Sequence, residues 1–311
     1  MRAMGNIHHL ITAHGLERAR DLADTKLERQ ELEIAAAVLA DEGESLGICH
    51  AGFALTSLPH KNTPERLWRR EGHRITLLVE SGCTEKGELI GVPYGSKARM
   101  ILIYLQTQAL RTGSREVELG RSMKAWMTAM GIDAIGGATY KAVTEQAKRI
   151  SACRLTFFSD HGGARQRDNG AFVDSAIELT GALNNDAQPM LWRETVKLNE
   201  AFYHSLIEHP VPVSEAALRT IGNKSLSIDI YVWLAYRLHS LSKPTPVSWQ
   251  ALYAQFGAGC ASLRTFKQPF TEALRMALAA YPDARVGVES GCIMLHPSRP
   301  PVTKRLAGAV S

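Results

Sequence analysis

Nowhere in the 311-residue chain does an apolar run approach the roughly 18 residues of a membrane-spanning helix, so no transmembrane segment is expected. Cysteine is scarce. The five residues, Cys49, Cys83, Cys153, Cys260 and Cys292, are scattered and odd in number, with no CxxC pair or zinc-ligand spacing. That argues against a disulfide framework and a zinc finger, and for a reducing compartment. Met1 to Gly15 lacks the apolar stretch of a secretory signal, so a cytoplasmic protein is expected. Catalytic signatures are missing as well. There is no G-x-x-x-x-G-K-[ST] loop; Gly91 to Lys97 (GVPYGSK) has the wrong spacing and order. No G-x-S-x-G or HExxH occurs. His8 and His9 are adjacent rather than flanking one apolar residue, and no tyrosine sits in a nucleophile's context, which weighs against a DNA-nicking enzyme. A non-enzyme without metal or cofactor is the expectation.

What is present is an ordinary globular composition, 45% hydrophobic and 22% charged, with a formal net charge of +5. Two domains fit this length, and the basic excess favours a polyanionic partner. Leu16 to Asp41, which contains no Gly or Pro, reads as one helix, either packed on the body or used for dimerisation or partner binding. Gly43 to Gly72 reads as an irregular arm, and His73 to Glu80 alternates like a strand.

The spacing then predicts a helix over Ser96 to Thr112, a strand over Glu116 to Leu119, and helices over Ser122 to Met130 and Ala138 to Ala152. A strand over Arg154 to Ser159, a polar loop over His161 to Gly170 and a returning strand over Phe172 to Leu179 follow. This is the order of a winged helix. It recurs about 130 residues later: helix Leu226 to Leu241, extended Pro246-Val247, helix Ser248 to Phe256, helix Ser262 to Ala280, then a hairpin of Arg285 to Glu289 and Cys292 to His296. The expected fold is therefore α+β and mainly helical, with tandem winged-helix domains. An N-terminal helix and arm would span residues 1–87, the two domains 88–209 and 210–298, and a basic tail 299–311.

Two helices carry the candidate chemistry. In Ala138 to Ala152, Tyr140, Val143, Ala147 and Ile150 form an apolar stripe, leaving Thr139, Lys141, Thr144, Glu145, Lys148 and Arg149 outward. Such a face can enter a major groove roughly 12 Å wide, with Lys, Arg and Thr reaching base edges or phosphates. Arg121 and Lys124 on the preceding helix are placed for phosphate. In the second copy Leu263, Phe266, Phe270, Leu274 and Leu278 form the stripe, leaving Arg264, Thr265, Lys267, Gln268, Thr271 and Arg275 outward. Pro269 interrupts this helix, which either kinks there or begins only at Pro269. Arg165 and Arg167 in the first hairpin, and Lys304 with Arg305 in the tail, add backbone contacts.

GVPYGSKARMILIYLQTQALRTGSREVELGRSMKAWMTAMGI, from Gly91, and the later KRISACRLTF closely resemble the plasmid-encoded RepA replication initiator family. Leu58-Pro59-His60, Trp68-Arg69-Arg70, LSIDIYVWLAYRLHSLSKPTPVSWQALYAQFG and the closing LHPS are similar too. The resemblance implies binding to repeated sites (iterons) in double-stranded plasmid origin DNA, opening of adjacent AT-rich DNA, and recruitment of host initiation factors and the replicative helicase. It also implies dimers that repress the protein's own gene and monomers that initiate. A winged-helix transcriptional repressor would use the same two units; a nicking enzyme is the reading from another class.

Overall fold

The computed structural model describes residues 7–41, 45–133, 136–161, 164–174 and 195–302. The chain opens with α1 (Ile7–His14), α2 (Leu16–Asp21) and α3 (Lys26–Leu39). The single helix expected over Leu16 to Asp41 is thus two. A capping box at Thr25 restarts the second: its hydroxyl accepts from Glu28 N at 3.2 Å, and Glu28 Oε2 accepts from Thr25 N at 3.0 Å. Ala19, Ala23 and Leu32 form a small core here, covered by Ile7, Leu10, Ile11 and Leu16. β1 (Leu46–His50) and α4 (Ala51–Leu55) follow, where the spacing had suggested irregular chain.

The next elements form one unit. They are β2 (Leu67–Gly72), β3 (Ile75–Glu80), α5 (Gly95–Thr112), β4 (Glu116–Glu118), α6 (Met123–Ala129), α7 (Gly137–Ala152), β5 (Arg154–His161), β6 (Ala164–Ala171), β7 (Thr195–Lys197) and α8 (Glu200–Glu208). α5 is buried along most of its length, and it ends at Gly113, whose φ of 65° gives the left-handed cap. Ser122 caps α6 by accepting from Ala125 N at 3.1 Å. The main sheet is antiparallel in the order β2-β3-β5-β6, while β4 pairs with β7. The polar stretch expected as a loop over His161 to Gly170 is largely strand β6. Its backbone pairs with β5 from Arg154↔Ala171 to His161↔Ala164. Of the strand expected over Phe172 to Leu179, Val173 makes a bridge to Leu198 and residues 175–179 lie outside the described residues.

The chain then returns with β8 (Pro210–Ser214), α9 (Glu215–Ile221), α10 (Ser225–Leu238), β9 (Thr245–Ser248), α11 (Trp249–Phe256), α12 (Leu263–Ala279), β10 (Val286–Val288) and β11 (Cys292–Leu295). The three last strands pair in the order β10-β11-β9. Helices α10, α11 and α12 enclose Trp233, Trp249, Phe256, Phe266 and Phe270, with ring centroids 5.1–5.9 Å apart. Each such buried ring contributes about 1.5–3 kcal/mol. α12 runs unbroken through Pro269 rather than starting there. Pro269 is exposed, so the carbonyl it leaves without a donor can be hydrated.

Two compact units result among the described residues, one of residues 58–210, the other joining the chain up to residue 57 with residues 211–302. This departs from the expected four-part division in two places. β2 and β3 belong to the sheet that follows, because β3 pairs with β5 over its whole length. The N-terminal helices belong with the C-terminal elements, because β1 pairs with β8 and α3 packs on α9 and α12.

His8 on α1 anchors that second packing: it is buried, and its Nε2 bonds the Ala279 carbonyl at the end of α12 at 2.8 Å. Burial lowers its pKa, more than the Ala279 bond and nearby Asp283 raise it. A depressed histidine contributes stability that is present above its unfolded value of about 6.5 and is lost as pH falls through the folded value. Circular-dichroism melting between about pH 7 and pH 5 checks this. The midpoint is expected to fall with acidification in the native chain and to fall less in His8→Gln.

Candidate nucleic-acid interface

The outer surface of α7 is built by its inner one. Val143, Gln146, Ala147 and Ile150 are buried, which turns Lys141, Glu145 and Lys148 to solvent. Lys141 and Lys148 stand two turns apart, about 10 Å along the axis. Arg121 and Lys124 are exposed at the start of α6, as expected, and so is Arg154 on β5, where it is in register with Glu80. Thr139, Tyr140 and Thr144 are only half exposed. The Thr144 hydroxyl is buried and has no hydrogen-bond partner among the described residues. Arg165 and Arg167 lie on β6 in register with Asp160 and Phe158, and their side chains fall outside what is described.

Arg149 does not belong to this face. It is 8% exposed, and its guanidinium is consumed inside the unit. Nη1 donates to Asn62 Oδ1 and to the Val92 carbonyl, each at 2.9 Å. Nη2 pairs with Glu145 at 2.8 Å, and the group lies 4.9 Å from the centre of the Tyr94 ring. Gly91 makes room for it: its φ is +96°, and a Cβ there would come within 2.4 Å of Nη1. Beside it, Gln146 Oε1 accepts from Tyr94 N at 2.8 Å. Arg149 is therefore a clamp holding the GVPYG segment against α7. The signal in the sequence was Glu145, four residues N-terminal to Arg149 and spaced for an intrahelical ion pair. Because that pair is neutral, the surface retains the charge of Lys141, Lys148 and Arg154.

The segment upstream is held the same way. Arg99 on α5 is 5% exposed and donates to the carbonyls of Leu58 at 2.8 Å, Pro59 at 3.2 Å and Gly95 at 2.8 Å. Desolvation of the half-buried His60, with the Arg99 and Arg70 charges beside it, pushes its pKa down to about 3, so it stays neutral. Both motifs that marked the chain, Leu58-Pro59-His60 and GVPYGSKAR, thus meet at buried arginines.

On α12, Ser262 caps the first turn, and Arg264 and Gln268 are exposed. Gln268 donates to Glu272 at 3.1 Å. Lys267 is half-buried, with its ammonium 5.2 Å from the centre of the Trp249 ring. The Thr271 hydroxyl donates back to the Lys267 carbonyl at 2.8 Å, a local bond that occupies it. Arg275, expected to face DNA, instead donates to Glu31 of α3 at 2.8 Å. Glu31 is 6% exposed; burial raises its pKa, partly opposed by Arg275. α3 therefore covers the C-terminal half of α12, leaving Arg264, Lys267 and Gln268 on the N-terminal half. A glutamate on the apolar side of α3 was the available signal. Lys304 and Arg305 lie outside the described residues.

Truncating Arg149 leaves the buried Val92 carbonyl, the Asn62 side-chain oxygen and the Glu145 carboxylate without their donor. Arg149→Ala is expected to lower the unfolding free energy by about 2–4 kcal/mol. Lys148→Ala, on the solvated face, should stay within about 0.5 kcal/mol of the native chain. Urea titration of both variants measures the difference.

Residues 92–250 match the model of the family described as plasmid encoded RepA protein. Two crystal structures of RctB domains 2 and 3 are similar in fold. The selenomethionine derivative has 10% identity and a TM-score of 0.49 over 80% of this chain and 96% of that one. The second has 12% identity and a TM-score of 0.48 over 78% and 93%. No curated protein matches significantly. The family match spans more than half of the sequence and contains α5, α7 and both buried arginines, Arg99 and Arg149. The chain belongs to the plasmid-encoded RepA family of plasmid replication proteins.

Proposed function

We propose that this protein is a plasmid replication initiator that binds repeated sites in duplex origin DNA, and that each compact unit contains a winged helix. The observation that carries the reading is a recurrence within a RepA-family chain. In both units a buried helix, a short strand, two helices and a hairpin follow in order, and the third helix presents cations to solvent. In one unit that helix is α7 with Lys141 and Lys148; in the other it is the N-terminal half of α12 with Arg264, Lys267 and Gln268. Arg121 and Lys124 contact phosphates and set register, whereas the third helices read base edges. The protein acts by binding rather than catalysis, in the cytoplasm, and without a metal or cofactor. Opening of the adjacent AT-rich DNA and recruitment of host initiation factors and helicase complete the role, with a homodimeric form acting as repressor.

With about six phosphate contacts, the log–log dependence of affinity on salt has a slope of roughly −5. Fluorescence anisotropy with labelled origin duplex measures it; a flat response sinks the reading. In a hydroxyl-radical footprint, the Arg264→Ala/Lys267→Ala chain is expected to lose part of the protected site and keep the rest. A footprint of unchanged length would remove α12 from the interface. Maintenance of a replicon carrying only the origin and this gene separates an initiator from a repressor.

A further inference from the structure

The turn between β2 and β3 consists of His73 and Arg74 alone, since Gly72 pairs with Ile75. Both are exposed. Arg74 has φ 59°, in the left-handed region, and is the one non-glycine residue with positive φ among the described residues. Glycine or asparagine fits such a site at lower cost, so an arginine held there points to a use for its side chain. Nearby Arg69 is neutralised by Glu71 at 2.5 Å. No ion pair of Arg74 is present among the described residues, and its turn lies at the extremity of the sheet.

The register determines what lies beside this turn. β3 runs antiparallel to β5 with Ile75 opposite Ser159, and β5 and β6 pair as far as His161↔Ala164 at the same end. Both hairpins therefore turn at the same end of one sheet. Their midlines are two strand spacings apart, about 10 Å. Arg165 and Arg167 are the second and fourth residues of β6, counted from that end.

We propose that the β2–β3 turn is a further DNA-backbone contact, with Arg74 bound to a phosphate beside the β5–β6 hairpin. This rests on the DNA-binding reading above and extends it to an element to which that reading assigned nothing. A separation of about 10 Å is within the roughly 12 Å width of a major groove, so both turns can meet one duplex. The forked guanidinium donors suit phosphate oxygens.

The test uses the full chain and Arg74→Gly, which removes the charge while relaxing the backbone, so folding is retained. Binding to a fluorescein-labelled mixed-sequence duplex of about 30 bp is measured over a salt series. The expected result is a log–log slope shallower by about 0.9, the loss of one phosphate contact, with the melting temperature unchanged or raised. Arg74→Lys, which keeps a charge on the same turn, should retain the native slope. If Arg74→Gly keeps the native slope while Lys141→Ala/Lys148→Ala makes it shallower, the turn is no contact and the DNA-binding reading stands. If the native chain itself binds without salt dependence, both ideas fall.

Discussion

A guanidinium taken out of water must be given acceptors, and that constraint decides where much of this chain runs. In the unit that begins at residue 58, Arg99 draws the Leu58 and Pro59 carbonyls onto the start of α5. Arg149 draws Asn62 and Val92 onto α7. Between them these two side chains tie the segment before α5 to the helix proposed to read DNA. Arginine suits the task because its donors are spread over a rigid plane and its charge cannot be titrated away. In the other unit Arg275 and Glu31 do the equivalent for α3 and α12.

The same constraint selects which cations remain for a polyanion. A positive side chain that is buried and paired has already lost its water and cannot release counterions from DNA. Arg149 is buried, and the half-buried Arg275 is paired with Glu31, which leaves Lys141, Lys148, Arg264 and Lys267 on the two third helices. On α12 the remaining residues sit in the N-terminal half, as in helix-turn-helix proteins, whose recognition helices contact bases with their N-terminal residues. Where α3 lies over the C-terminal half, the histidine of α1 and the carboxylate of α3 are both buried against α12. Their titration therefore couples to the packing of the N-terminal helices.

Local chemistry made most helices legible. Ser122, Ser248 and Ser262 each accept the backbone bond expected of a cap, and Gly113 closes α5. The break between α2 and α3 was also encoded, in Thr25 and Glu28. It is missed when only the absence of glycine and proline is read. β6 was not legible: ARQRDNGA has no apolar alternation, and it is a strand because β5 offers it a complete ladder of backbone partners. Propensity weighs little when a paired strand supplies every backbone hydrogen bond.

The order of α5 to α7, the order of α10 to α12 with its closing hairpin, the apolar stripes of α7 and α12, and the family were determined by the sequence alone, because caps, turns and helical periodicity are short-range properties. Which members of a polar face meet solvent was decided only by the tertiary structure. Lys148 and Arg149 are adjacent on one helix; one is exposed and the other is 8% exposed. Periodicity places both beside the apolar stripe's border. The difference comes from Asn62 and Val92, whose oxygens lie 87 and 57 residues away along the chain and become neighbours only in the fold.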